Sequence, residues 1–180
     1  MTVPFRDLAT DEELGVAGYL RFVDEADGKG MRGALFFVTA RGEPLDFSFC
    51  RVGMPSSFLW RVGQARQQAV GALIRALFTT GAREPTLLLA RAEEVPARLF
   101  AEDLDVHVPL CRVAEDAAPS VATGEAPELL ADALHLFWVG TPPAPDSPAR
   151  RLLDALHARQ LTVEPFERAG VGLEEAFRQP

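Results

Sequence analysis

Three aspartates in the first part of the chain, Asp24, Asp27 and Asp46, and the adjacent pair Glu93 and Glu94 are the side chains best suited to build a hydrolytic centre. Converging carboxylates can hold divalent ions, and two such ions orient an attacking water and stabilise a departing oxygen. An enzyme with a carboxylate-based site near the first strands is therefore one reading of the sequence. Other chemistries find less support. Gly28-Lys29-Gly30 lacks both the GxxxxGK[ST] spacing and a following helix that would aim its amino end at a phosphate. His107, His135 and His157 form no HExxH pattern, Cys50 and Cys111 have no CxxC partner, and no serine sits in a GxSxG elbow. His107 and Cys111 share one extended run but stand roughly 13 Å apart along it, beyond direct proton transfer. No metal site and no cofactor are expected.

A second signal is apolar. Phe36, Phe37, Phe47, Phe49, Phe58 and Trp60 crowd the first half of the chain. Phe36 and Phe37 are neighbours in one strand and point to opposite faces, so both can be buried only if both sheet faces are covered. Met54, Phe58, Trp60 and Arg61 fall where a long helix begins, and aromatic and arginine side chains anchor interfaces well. They form the expected interaction surface. Arg61 and Arg75 lie about four helical turns apart on roughly one face and are the expected contacts should the partner be a nucleic acid.

These residues need a scaffold, and composition sets its limits. With 180 residues and 48% hydrophobic content, the chain buries a core without disulfide or metal staples. Cys50 and Cys111 read as small core hydrophobes. The net charge of −8 disfavours nonspecific contact with phosphate backbones and anionic membranes. It is unevenly spread, since residues 113–180 carry 11 acidic against 5 basic side chains. No apolar run is long enough to span a bilayer, and the amino terminus lacks the basic-then-apolar order of a secretory signal, so a cytoplasmic location is expected.

Period-two alternation places strands over residues 16–23, 33–39 and 45–50, joined by short turns that make them an antiparallel meander. Apolar positions at helical spacing mark residues 58–78 as a long amphipathic helix, with Ser56 or Ser57 as its cap and Gly81 as a left-handed terminator. A buried strand at 86–90, a short helix at 93–100 and a strand at 106–111 follow, the two strands being paired in parallel. Pro109 requires an edge position or a bulge in the second of them. Beyond the polar stretch 114–127 come a helix at 128–133, a strand at 134–139, a helix from Ser147-Pro148 to Arg159, a strand at 161–166 and a last short helix at 172–177.

The fold class is α/β, with α+β as the alternative. It has a mixed sheet that begins in a three-strand meander, one long helix and a C-terminal strand-helix-strand extension. Residues 1–113 form the main platform, 114–127 a surface loop or linker, and 128–180 the extension packed on the same domain. This order resembles that of roadblock or longin-type platform domains and of ribonuclease-H-like domains. A ribonuclease-H-like nuclease would present an acid from the long helix to its metal ions, yet Phe58 to Phe78 contains no Asp or Glu. The leading expectation is accordingly a non-catalytic protein-interaction or assembly module that binds a protein partner or itself. The alternatives are the carboxylate enzyme and a nucleic-acid-associated subunit, including a catalytically silent ribonuclease-H-like domain. Nucleic acid is the less expected partner, and no membrane contact is expected.

Overall fold

The computed structural model describes residues 14–178 except 62, 82, 97, 101–103, 105, 117–124 and 131–133. The first three strands, β1 (Val16–Asp24), β2 (Gly30–Thr39) and β3 (Pro44–Gly53), form the expected meander. They are joined to β4 (Leu87–Arg91), β5 (Leu110–Ala114), β6 (Glu128–Leu130) and β7 (Leu134–Trp138) in one mixed sheet of order β3-β2-β1-β4-β5-β7-β6. β1, β4 and β5 run parallel, and the remaining pairings are antiparallel.

Helices cover both faces of this sheet, which is why strands such as β4 read as unbroken apolar runs. Against one face lies α1 (Gln64–Thr80), which buries Val70, Leu73, Ile74 and Leu77 against Leu20, Phe22, Leu35, Phe37 and Leu88. Against the other lie α2 (Pro148–Ala158) and α3 (Glu164–Arg178), which cover Ala17, Tyr19, Phe36, Val38, Leu87 and Leu89. Phe36 and Phe37 are both buried, one in each layer. Ser147 caps α2 by accepting the Arg150 amide, with proline in the first turn.

Local differences from the sequence reading have identifiable causes. The long helix starts at Gln64, because Gly63 adopts a positive φ of 84° and residues 57–59 form a separate 3-10 turn. Gly81 ends that helix in an extended conformation, φ −65° and ψ 123°, and not in a left-handed one. β5 begins at Leu110, after Pro109, so the proline never interrupts a ladder. Residues 128–130 form the edge strand β6 where a helix was expected, and 131–133 lie outside the described residues. The expected strand at 161–166 is a turn followed by the start of α3, so the C-terminal part is strand-strand-helix-helix. Pro165 suits a first helical turn, and Glu164 and Glu167 complement its dipole. The expected helix at 172–177 is the second half of α3, and Gly170 and Gly172 hide its first half from a pattern reading. A Cβ at Gly172 would stand 2.8 Å from the Phe47 ring, so the glycine is what lets α3 lie against edge strand β3.

Candidate functional site

The chain leaves β1 for β2 and β3 on one side, then returns through α1 to β4 on the other. The gap between β1 and β4 is thus a topological switch point, and open α/β sheets hold ligands outside the carboxyl ends of strands at such points. The last paired residues of the two strands are Leu20 and Ala90. One step beyond stand Arg21 and Arg91, and the strands then part.

Glu94 fills the opening. One carboxylate oxygen accepts the Phe22 amide at 2.8 Å and the other pairs with Arg21. The Glu94 side chain is 7% exposed and that of Arg21 24%. From α1, Arg66 donates to the Glu94 carbonyl at 2.7 Å and to Asp24 at 3.4 Å. Arg91 pairs with Glu93 at 2.6 Å and Glu115 at 3.4 Å. Burial, and after it the neighbouring Arg91 charge, hold the Arg21 pKa below its ordinary value, while Glu93 works in the opposite direction.

The structure therefore brings Asp24, Glu93 and Glu94 to one crevice but gives each an arginine partner. Asp27 sits in the β1–β2 turn, where it accepts the Lys29 amide at 2.9 Å. Asp46 is at the other end of the sheet. Its row is Gly18–Phe37–Asp46, whereas the row of Asp24 is Asp24–Met31–Val52, about 20 Å away along the strands. Among the described residues, no three carboxylate, imidazole or thiol side chains are grouped to hold a metal ion.

Sequence reasoning missed the arginines. Arg21, Arg91 and Arg112 each stand in one of the three parallel strands, in otherwise apolar runs, and that recurrence was the available signal. Arg112 projects to the α1 side of the sheet and is 1% exposed. It meets Glu125 at 2.5 Å and lies over the Phe137 ring, while its Nε atom has no partner among the described residues.

Cys111 lies in the layer under α2, and β5 starts only after His107, so strand alternation does not bring the two together. Burial pushes the Cys111 thiol up to about 12, and burial also raises Cys50. At pH 8 a thiol reagent is expected to label half-buried Cys50 first and Cys111 only on unfolding, because the thiolate is the reactive form. Equal labelling rates for the two in the native protein would contradict this.

The residues marked as an interaction surface lie at the same sheet edge as the crevice, since Gly53 at the end of β3 is level with the end of β1. Met54 is half-buried against the α1 layer and donates its amide to the Lys29 carbonyl at 2.8 Å. Phe58 is 84% exposed, Leu59 73% and Trp60 39%, so Leu59 does not face the core. Arg61 is exposed but precedes α1, so it does not share a helix face with Arg75 as expected, and Val62 lies outside the described residues. Beyond it, Gln64, Gln68, Ala72, Arg75 and Thr79 form the outer stripe of α1, continued by exposed Arg83. From Phe47 to Arg83 the chain has five arginines and no acidic residue. Among the described residues, no helix is long and apolar enough to cross a membrane.

No protein-family model and no curated protein matches the sequence. Solved structures do match. An endonuclease V from Bacillus subtilis superposes with a TM-score of 0.57 at 11% identity, over 94% of this chain and 84% of that one. An endonuclease V from Streptomyces avermitilis gives 0.56 at 14% identity, over 95% of this chain and 91% of that one. These likenesses overturn the expectation of a non-catalytic protein-interaction or assembly module, because two structures that parallel nearly the whole chain are endonucleases. The chain is similar in fold to endonuclease V along almost its entire length.

Proposed function

We propose that this chain is a nucleic-acid-binding domain on a nuclease-like fold, in which the crevice between β1 and β4 serves structure and not metal-dependent cleavage. The observation that carries the second half is the pairing of Asp24, Glu93 and Glu94 with Arg66, Arg91 and Arg21. A carboxylate neutralised by a guanidinium binds a cation less well, and Glu94 already uses both oxygens. The fold shared with endonuclease V supports the first half, as does the acid-free stretch from Phe47 to Arg83. Within it Arg51 pairs with Glu25 and Arg66 with Asp24, while Arg61, Arg75 and Arg83 are exposed. In this reading Phe58 and Trp60 stack unpaired bases, while Arg61 and Arg75 contact phosphates.

Fluorescence anisotropy with a labelled single-stranded oligonucleotide tests the proposal. Trp60→Ala is expected to weaken binding about 5- to 150-fold, the range for one stacked base. Arg61→Ala with Arg75→Ala should weaken it and flatten the log Kd against log salt slope by about 1.4. Incubation with magnesium or manganese should leave the oligonucleotide intact. Absence of binding at low salt would sink the nucleic-acid reading. Metal-dependent cutting that disappears in Asp24→Asn or Glu93→Gln would sink the non-cleaving part.

A further inference from the structure

At the opposite end of the sheet from the arginine-lined crevice, a cleft of about 420 Å³ opens between the last turn of α1, β2, β4 and the segment leading into β5. That volume lies within the roughly 300–1,000 Å³ range of small-molecule sites. Leu35, Phe37 and Leu88 are its buried floor, and the half-buried Phe78 ring forms a wall. Arg83, Glu84 and His107 stand exposed on the rim.

Gly81 leaves this side of the cleft bare. Its φ of −65° and ψ of 123° are accessible to any residue, but a Cβ here would stand 3.3 Å from the Leu77 carbonyl oxygen, so the helix end also favours glycine. A Cβ at this position would lie 3.8 Å from a Leu35 methyl, and a larger side chain would spread over the floor.

The rim selects the chemistry of the occupant. Arg83 only donates hydrogen bonds and the Glu84 carboxylate only accepts them. A hydrocarbon would displace water from both without replacing its hydrogen bonds, a simple anion would face Glu84, and a simple cation would face Arg83. A neutral flat ring with donors and acceptors along one edge satisfies the set while burying its faces against Phe78, Leu35 and Leu88. We infer that this cleft is a binding site for a heteroaromatic base or its nucleoside, with the ring on the apolar floor and its polar edge at Arg83 and Glu84. The site stands apart from the Phe58–Trp60 loop and does not depend on the nucleic-acid reading.

Adenosine, titrated in saturation-transfer NMR and calorimetry, is the probe, with ribose as the control. Adenine ring protons should show the strongest transfer, and ribose alone none. Val108→Trp and Gly81→Leu each place a side chain in the cleft and should weaken adenosine at least about tenfold, a 1.4 kcal/mol effect. Arg83→Ala or Glu84→Ala should weaken it roughly three- to tenfold through one lost hydrogen bond. Trp60→Ala should leave it unchanged. Circular dichroism and thermal melting establish that each variant is folded. The inference is overturned if adenosine does not bind, or if it binds equally well to folded Val108→Trp and Gly81→Leu. It is also overturned if indole, which lacks the polar edge, binds as tightly and neither rim substitution has an effect.

Discussion

Replacing Glu94 with alanine is expected to lower the unfolding free energy by about 3–5 kcal/mol, the cost of breaking a buried ion pair from one side. Two groups lose their partner together. The Phe22 amide lies just past the end of the β1–β4 ladder and has only this carboxylate in place of a strand. Arg21 would keep a partly buried charge beside Arg91 without the carboxylate that compensates it. The splayed strand ends would face a void. Glu94→Gln should cost less, since its carbonyl still accepts the Phe22 amide. Arg21→Met combined with Glu94→Gln should recover part of the loss, because an apolar residue replaces the orphaned guanidinium. Urea denaturation at constant m-value measures all three. A loss below about 1 kcal/mol in Glu94→Ala would mean that the pair contributes no more than a surface salt bridge.

Phe166→Ala should be comparably severe, about 3–5 kcal/mol, the range for deleting a buried aromatic. Phe166 is 0% exposed and meets Tyr19 of β1 edge-to-face, with ring centroids 5.0 Å apart and planes at 77°. The Tyr19 hydroxyl donates to the Leu161 carbonyl at 2.6 Å, which ties the turn before α3 to the centre of the sheet. Burial raises the Tyr19 pKa, so its hydroxyl stays protonated and able to donate. An empty space beside that bond should weaken it too. A fall in stability under about 2 kcal/mol would show that the α2–α3 layer collapses readily around the missing ring.

The same segment shows where sequence reading reached its limit. Period-two alternation identified β1, β2 and β3 because antiparallel strands pair through short turns, and the meander needs nothing distant to define it. The Ser147-Pro148 start of α2 was legible for the same reason, being a local cap. Leu161–Phe166 was not, since its apolar residues fit either period and Gly170 and Gly172 weaken the helical signal. The justification of Gly172, the approach of α3 to Phe47, lies far away in sequence. Likewise, no local pattern indicates that residues 128–130 pair with β7.

The candidate site was half legible. Phe58, Trp60 and Arg61 were marked by position, and the structure leaves them exposed, although the helix begins later than expected and Leu59 joins them outside. Asp24, Glu93 and Glu94 were named as possible ligands, and the structure does collect them. Their arginine partners come from β1, β4 and α1, a convergence set by strand order that no spacing along the chain encodes. Asp46 shows the converse, a carboxylate near the others in sequence but carried by the meander to the far end of the sheet.

The division of the core into two layers has a consequence during protein synthesis. The layer under α1 is largely encoded before residue 111, so most of it can pack once that part of the chain has left the ribosome. The opposite face, with Tyr19, Phe36, Val38, Leu87 and Leu89, stays uncovered until α2 and α3 emerge. At about 5–20 residues per second, the span from the end of β4 to the end of α3 takes roughly 4–17 seconds to translate. Throughout that interval the nascent chain carries a half-finished sheet with a bare apolar side. Its yield in the cell should therefore depend on chaperones that shield such surfaces more than its final stability would suggest.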